Sequence, residues 1–189
     1  MADNRSTILD CSLKLFAAKG YDAVGVQQMV EAAGIKKPTL YHYFGSKRGV
    51  LEALMQERFA PFLSQLAEAA AYTSDLPLSL RQVVTCYFEF ALEQPTLYQM
   101  HLAAWFANPE NEASQIITSY IREQHQLLES MFQQAANHHG NMRGRQRVYA
   151  ATFLGMVNSY IVQALHQKTD LSEFTVHQAV QQFSYGIYS

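Results

Sequence analysis

Cysteine, proline and charged residues are scarce in this chain of 189 residues, which has two cysteines, five prolines and 16% charged side chains. Cys11 and Cys86 lie far apart in apolar segments, so we expect two buried thiols in a reducing compartment, with a disulfide as the alternative. No apolar run approaches the roughly 18 residues that a membrane span needs, and the opening MADNRSTILD lacks the pattern of a signal peptide. We therefore expect a cytoplasmic protein with no membrane partner.

Motifs for metal binding and catalysis are also missing. The chain has seven histidines but neither H-E-x-x-H nor C-x-x-C, and the adjacent His138 and His139 lie in a Gly- and Asn-rich segment where solvent exposure is expected. The stretch GNMRGRQR lacks the G-K-[ST] ending of a phosphate-binding loop, and no G-x-S-x-G is present. No catalytic residue, metal or cofactor is expected, and a helical enzyme is kept only as an alternative.

Hydrophobic residues make up 49% of the chain and recur with the period of an α-helix in nearly every segment. Nine helices and no convincing strand are predicted, which gives the all-α class. The predicted ranges are 4–19, 26–33, 37–44, a long helix after Ser46 to about residue 72, a helix between Asp75 and Pro95, and then 96–106, 112–137, 145–168 and 173–188. Gly34 supplies the turn between the second and third helices. The expected architecture is an N-terminal three-helix unit with a helix-turn-helix, followed by a C-terminal helical bundle.

Pro61 interrupts the fourth predicted helix. A proline lacks the backbone N–H and its ring clashes with the carbonyl four residues earlier, here that of Glu57, so we expect a kink or break near residues 57–61. The alternative is that Pro61 simply begins a new helical segment.

Charge is distributed unevenly along the chain. Residues 1–50 hold seven Lys and Arg against four acidic residues, whereas residues 51–189 hold seven against twelve. This asymmetry indicates an anion-binding N-terminal part on an acidic body, with an ordinary solvated surface as the alternative.

The third helix combines an apolar inner face with a polar and aromatic outer face. Leu40 and Phe44 are four residues apart and are predicted to point inward, which leaves the outer set Lys37, Pro38, Thr39, Tyr41, His42 and Tyr43. Such side chains can bond phosphates and base edges from a helix in the major groove of DNA. The alternative is that Tyr41 and Tyr43 are half-buried wedges between helices.

From Leu15 to Met55 the sequence LFAAKGYDAVGVQQMVEAAGIKKPTLYHYFGSKRGVLEALM resembles the TetR family of bacterial transcriptional regulators. The resemblance rests on KGY after the first helix, EAAGI at the turn, TLYHYF on the third helix, and a lysine after a small polar pair. It implies that the third helix enters the major groove while the second supports it. By position it places Lys37 and Pro38 nearest base edges, Thr39, Tyr41 and His42 between bases and phosphates, and Tyr43, Lys47, Gln27 and Gln28 on phosphates.

Two positions depart from the family pattern. Gly25 stands where a Ser or Thr usually caps the second helix, a difference of only a few tenths of a kcal/mol. Lys36 stands where the family has a small polar residue, and its charge is expected to strengthen nonspecific DNA binding.

The resemblance also predicts two domains, a helix-turn-helix DNA-binding domain over residues 1–48 and a ligand-binding and dimerisation domain over residues 49–189. The eighth helix carries a strip of small residues, and the ninth carries an apolar seam: Ala151, Gly155 and Ser159, and Val176, Val180, Phe183 and Ile187. Two such helices from each of two chains would form a four-helix dimer interface, which suits a palindromic operator. The alternative is that both stripes pack into the core of a single chain.

The middle helices are rich in aromatic and methionine side chains, which line many apolar pockets and also fill many cores. A pocket there predicts ligand contacts from Phe88, Tyr98, His101, Trp105, Met131, Phe153, Met156 and Asn158, with His101 and Asn158 as polar anchors. The predicted protein is a DNA-binding transcriptional regulator, expected to be a repressor. Its homodimer leaves double-stranded operator DNA when a small, largely apolar effector binds. A DNA-binding structural or division protein without an effector is the alternative.

Overall fold

The computed structural model describes residues 4–107 and 110–186, and within these ranges the chain contains helices and no strand. The predicted all-α class is confirmed. The helices are α1 (Asn4–Lys19), α2 (Val26–Ala32), α3 (Lys37–Phe44), α4 (Lys47–Leu54), a π-helical turn (Met55–Phe59), α5 (Ala60–Ala69), α6 (Leu76–Glu93), α7 (Pro95–Trp105), α8 (Glu112–Ala135), a 3₁₀ turn (Gly140–Met142), α9 (Gln146–Leu165) and α10 (Glu173–Tyr185). Since α4, the π turn and α5 follow without a break, the described residues form nine helical runs, as predicted.

Two of the predicted start signals act as helix caps. The Ser46 hydroxyl accepts a hydrogen bond from the Gly49 N–H at 2.9 Å, and the Asp75 carboxylate accepts one from the Leu78 N–H at 2.9 Å, with Pro77 in the first turn of α6. The last helix is shorter than its predicted range and ends at Tyr185, while residues 187–189 lie outside the described part of the chain.

Pro61 changes the hydrogen-bond register instead of breaking the helix. The Ala60 N–H donates to the Met55 carbonyl five residues earlier, so the π turn ends at Phe59, two residues before the proline. A π turn is wider than an α turn, which eases the clash of the proline ring with the preceding carbonyls. The expected disturbance near residues 57–61 is therefore present, as a local widening of a continuous helix.

The chain divides into two compact units, which we call unit 1 (Met1–Pro61 with Thr96–Tyr120) and unit 2 (Phe62–Pro95 with Ile121–Ser189). The core of unit 1 is built on four buried residues of α1 together with buried residues of α2, α3 and α4: Ile8, Leu9, Leu13, Phe16, Met29, Val30, Leu40, Val50, Leu51 and Leu54. The predicted boundary at residue 48 separates a DNA-binding domain from a ligand-binding and dimerisation domain. A division into compact units does not test such a boundary, so it stays a prediction.

Unit 2 is an aromatic-rich helical bundle in which α10 packs on α6 and α9. The Phe62 ring stacks on Phe90 at 4.3 Å between centroids, and the buried Tyr87 hydroxyl donates to Gln124 at 3.0 Å. At the start of α10, the Asp170 carboxylate accepts hydrogen bonds from the Ser172 and Thr175 hydroxyls, both at 2.8 Å, which lower its pKa.

Both cysteines are free thiols, and both are half-buried rather than fully buried. The Cys11 thiol donates to the Ala32 carbonyl at 3.2 Å, and so links α1 to the end of α2. Burial raises the pKa of the Cys86 thiol to about 12, with a smaller contribution from the nearby Glu89 carboxylate. The surroundings of Cys86 are therefore not those of a reactive thiolate.

Candidate nucleic-acid interface

The turn between α2 and α3 depends on a glycine in the left-handed conformation. Gly34 has a φ of +65°, and the Ile35 N–H closes the end of α2 by donating to the Val30 carbonyl at 3.0 Å. Lys36 then caps α3 in an extended conformation, with Pro38 in the first turn, where its missing N–H costs no intrahelical hydrogen bond. These local preferences produce the helix-turn-helix expected from the sequence.

A second glycine sets the junction between α3 and α4. A Cβ atom on Gly49 would lie only 1.9 Å from the Phe44 carbonyl oxygen, so no larger residue fits unless the backbone shifts. Because Phe44 is the last residue of α3 and Gly49 lies in the first turn of α4, this close approach fixes where α3 ends relative to α4. The sequence pattern alone gave no signal for Gly49, since its constraint comes from tertiary contact.

The outer face of α3 is arranged as the periodicity predicted. Leu40 is fully buried and Phe44 is half-buried, whereas Tyr41 and Tyr43 remain 48% and 39% exposed. Both tyrosines are exposed, which disfavours the alternative that they are half-buried wedges between helices. Lys36, Lys37, Pro38 and His42 are also exposed, Thr39 is half-buried, and the His42 and Tyr43 rings meet edge to face at 5.4 Å. The result is one continuous polar and aromatic surface.

The α2 side chains predicted to contact phosphate are engaged within their own helix. The Gln27 amide donates to the Glu31 carboxylate at 2.6 Å, and the Gln28 side-chain oxygen accepts from the Gly25 N–H at 3.2 Å, which caps α2. Gly25 is the N-cap residue, as expected. Phosphate contacts by Gln27 and Gln28 stay predictions. To contact a phosphate, each side chain would have to give up or share its present hydrogen-bond partner.

Lys47 is held by a residue that sequence reasoning left without a role. Its ammonium group donates to the Tyr21 carbonyl at 3.1 Å and lies 4.0 Å from the centroid of the Tyr21 ring. The Tyr21 hydroxyl in turn donates to the Glu112 carboxylate at the start of α8. Burial, and after it the Glu112 carboxylate, raise the pKa of Tyr21, so this hydroxyl stays protonated.

The cations around α3 fall into two classes. Arg5 pairs with the Glu57 carboxylate and lies over the Phe44 ring at 5.3 Å, and Arg48 pairs with Glu52 at 2.8 Å. By contrast, in the described residues no carboxylate lies within ion-pair distance of Lys36 or Lys37. The positive charge that remains available to an anion is therefore concentrated at the start of α3.

The predicted ligand contacts are divided between the two units. Tyr98, His101 and Trp105 lie together on α7 in unit 1, with ring centroids 6.2 and 6.3 Å from that of His101. The other five belong to unit 2, where Phe88, Met131 and Phe153 are buried and Met156 and Asn158 are half-buried. Two cavities of unit 2, of about 490 and 630 Å³, are lined by residues outside this set. Ligand binding by the eight residues stays a prediction.

The two predicted dimerisation stripes differ in exposure. Ala151, Gly155 and Ser159 are all exposed on α9. On α10, Val176 and Val180 are buried within the chain, so for these two the alternative of packing into the chain's own core is correct. Phe183 is half-buried and packs on Phe153 at 4.8 Å, while Ile187 lies outside the described residues.

Comparison with known proteins agrees with this geometry. Residues 8–54 match the family described as bacterial regulatory proteins, tetR family. The chain is 26% identical over 114 residues to the transcriptional activator FasR of Mycolicibacterium smegmatis, covering 60% of this chain and 52% of FasR. It is 31% identical over 85 residues to the transcriptional repressor KstR2 of Rhodococcus jostii, covering 45% of this chain and 42% of KstR2. The matched segments thus span about half the length of these relatives.

The fold match extends over nearly the whole chain. The transcriptional regulator FadR from Bacillus subtilis, solved in complex with stearoyl-CoA, superposes with a TM-score of 0.78 at 20% identity, covering 97% of this chain and 99% of that one. At this identity the likeness shows the fold, while the match to a family comes from residues 8–54 and the sequence relatives. Residues 8–54 thus match the tetR family of bacterial regulatory proteins, and the chain as a whole shares the fold of FadR.

Proposed function

We propose that this chain is a homodimeric transcriptional repressor that binds palindromic operator DNA through α3 and leaves it when a small, largely apolar ligand binds. The observation that carries the proposal is the outer face of α3, where exposed aromatic hydroxyls lie beside lysines that form no ion pair with the described part of the chain. A helix of this composition fits the major groove, where phosphate contacts position the protein and base contacts select the sequence.

The proposed contacts follow from position along α3. Lys37 and Pro38, in its first turn, meet base edges, because recognition helices contact bases through their N-terminal residues. Thr39, Tyr41 and His42 divide between bases and phosphates. Lys36, Tyr43, Lys47, Gln27 and Gln28 contact phosphates. In this proposal residues 1–48 read DNA, and residues 49–189 bind the ligand and dimerise.

The exposed surface of α9 supports the homodimer. This helix has a mean hydropathy of 1.3 over its most apolar window, yet only 28% of that window is buried. Val148 and Val162 are 62% and 39% exposed, and they flank Gly155, around which a built Cβ atom meets nothing within 4 Å. A helix so apolar and so little covered indicates a partner surface, and a second copy of the same face satisfies the twofold symmetry of a palindromic operator.

Exposed aromatic residues on α10 are a second part of the proposed interface. Phe174 and Tyr185 are 68% and 61% exposed and lie eleven residues apart, on one face of the helix. They replace the buried Val176 and Val180 in the proposed interface. By length and composition, α9 could also span a membrane. Its strip of small residues is equally suited to close packing against another helix, and the family fold favours helix packing.

Ligand response and repression are proposed on the family relationship. KstR2 is named a repressor and FasR an activator, so the family includes both polarities. The similar FadR was solved with stearoyl-CoA, whose acyl chain is apolar. We propose a repressor because a dimer seated on operator DNA blocks access to that DNA without needing any further contact.

A selection from random double-stranded DNA tests the proposal. The native protein is expected to enrich a palindrome whose half-sites are about one helical turn apart. Lys37→Ala is expected to relax base preference in each half-site, at a cost of about 1–3 kcal/mol per lost base contact. Tyr43→Phe is expected to weaken binding on all sequences alike, and Lys168→Ala, at an exposed lysine beyond α9, serves as the charge-matched control.

Two results contradict the proposal. The first is a native protein that enriches no sequence at all. The second is an identical consensus and affinity for the native protein, Lys37→Ala and Tyr43→Phe, which would mean that the outer face of α3 does not touch DNA.

A further inference from the structure

Unit 1 contains a cavity of about 620 Å³ that none of the predicted ligand contacts line. It lies beside the end of α1 and the loop that follows, and α4, α7 and α8 supply its other walls. Six of its lining residues are alanines, namely Ala17, Ala23, Ala103, Ala104, Ala107 and Ala113. Its volume is in the range of pockets that hold small molecules, and its small side chains leave that volume open.

Several polar side chains that line this cavity, those of Tyr21, Asp22, Asn111 and Ser114, already have hydrogen-bond partners. The Asn111 amide donates to the Asp22 carboxylate, the Tyr21 hydroxyl donates to Glu112, and the Ser114 hydroxyl donates to the Ala104 carbonyl at 3.3 Å. The lining carries one cation, Lys19, and one carboxylate, Asp22, so it has no net charge. Such a site favours an uncharged ligand, because a charged ligand would lose its hydration without a dedicated counter-ion.

The cavity is coupled by contact to the proposed DNA surface. Tyr21 lines it, and the same residue holds Lys47 through its carbonyl and its ring. Tyr21 and Asp22 are also the residues bonded to the start of α8, through Glu112 and Asn111. The loop residue Tyr21 therefore both borders the cavity and positions Lys47.

We propose that this cavity binds a compact, uncharged, largely apolar molecule, and that its occupancy weakens DNA binding by displacing the loop at Tyr21 and with it Lys47. This inference rests on the proposed function, since it names the site and the ligand class through which DNA release occurs. It locates the effector beside the helix-turn-helix and not among the buried aromatic residues of unit 2, so residues 16–23 share in ligand binding with residues beyond the proposed boundary at 48.

The binding step is tested with N-phenyl-1-naphthylamine, an uncharged apolar fluorescent probe, in the absence of DNA. Energy transfer from Trp105, the single tryptophan of the chain, reports its binding. Ala104→Phe places a ring in the cavity and is expected to weaken probe binding by about tenfold or more, because the ring occupies the space that the probe needs. Ala67→Phe, at an exposed alanine of α5 in unit 2, is the matched control and should bind the probe as the native protein does.

A second variant guards against misfolding. If the thermal melt of Ala104→Phe by circular dichroism shows a lost fold, Ala103→Phe at the exposed side of α7 replaces it, with the same expected loss of probe binding. Absence of probe binding by the native protein overturns the proposal. Equal binding by the native protein and a folded cavity variant also overturns it, since the probe then lies elsewhere.

The coupling step is measured on the DNA selected by the native protein. Saturating probe is expected to lower DNA affinity about 5- to 150-fold, the usual range of coupling between sites, and to lose this effect in Ala104→Phe. Glu112→Ala, which removes the partner of the Tyr21 hydroxyl and does not itself line the cavity, should keep probe binding and show a smaller effect on DNA. Probe bound in the cavity with unchanged DNA affinity overturns the proposal. Failure of the native protein to select DNA refutes the proposed function instead, and the probe titration without DNA separates the two.

Discussion

His101 makes the stability of this protein depend on pH in a direction that can be worked out from its surroundings. The side chain is only 1% exposed, and its ring lies 4.5 Å from that of Phe59 and 6.2 Å from that of Tyr98. Burial lowers the pKa of His101 from 6.5 to about 3, because the imidazolium would lose its hydration among aromatic rings. In the folded protein this histidine is therefore neutral.

The sign and size of the effect follow from proton binding. Below pH 6.5 the unfolded chain binds a proton at His101 that the folded chain rejects until about pH 3, so stability falls as the pH is lowered through this window. Each pH unit below 6.5 costs about 1.4 kcal/mol, which gives a loss of about 2 kcal/mol at pH 5 relative to pH 8. The pKa of His125 is also lowered by burial and adds to the fall.

Urea unfolding followed by circular dichroism at pH 8 and pH 5, at one protein concentration, measures the effect. His101→Phe retains a ring in the aromatic cluster and cannot ionise, so its fall in stability between the two pH values should be smaller than that of the native protein by about 2 kcal/mol. His166→Gln removes an exposed histidine at the end of α9 and serves as the control, with the native fall retained. If His101→Phe loses as much stability on acidification as the native protein, the burial argument for His101 is refuted.

Three further substitutions test other parts of the molecule. Gly49→Ala should destabilise the fold by about 1–3 kcal/mol in urea unfolding, because its Cβ atom meets the Phe44 carbonyl, whereas Gly140→Ala meets nothing within 4 Å and should be nearly neutral. Lys36→Ala should reduce the dependence of log affinity on log salt by about 0.9 if Lys36 neutralises one phosphate, and an unchanged slope would place it off the DNA. Gly155→Leu should convert the expected dimer to a monomer in sedimentation without loss of helicity, and a native protein that sediments as a monomer at micromolar concentration would contradict the α9 interface.

Local signals in the sequence were sufficient for the helix-turn-helix. Gly34 at the turn, Ser46 as a cap and the inward Leu40 each act within one or two helical turns, and the structure shows all of them in the expected roles. The same is true of the exposed α3 face, because helical periodicity alone separates it from Leu40. Interactions within one or two helical turns are thus enough to predict which side chains form the proposed DNA surface.

The constraint on Gly49 and the partner of Lys47 could not be predicted in this way. Gly49 is required by the Phe44 carbonyl of another helix, and Tyr21 meets Lys47 across 26 residues of chain. The prediction that Val176 and Val180 on α10 face a partner was limited for a related reason. An apolar stripe is the same in sequence whether it faces a partner or its own core, and the structure assigns Val176 and Val180 to the core.

The position of Lys47 affects how much it can contribute to DNA binding. Its ammonium group already has the Tyr21 carbonyl and ring as partners, and a cation over an aromatic ring at a partly exposed site is worth about 0.5–1 kcal/mol. A phosphate contact must replace or share these interactions, whereas no carboxylate of the described residues lies within ion-pair distance of Lys37. The contact with Tyr21 therefore lowers the net contribution of Lys47 to DNA affinity. The same contact makes the position of Lys47 depend on Tyr21, so the proposed displacement of the loop at Tyr21 would weaken the phosphate contact of Lys47.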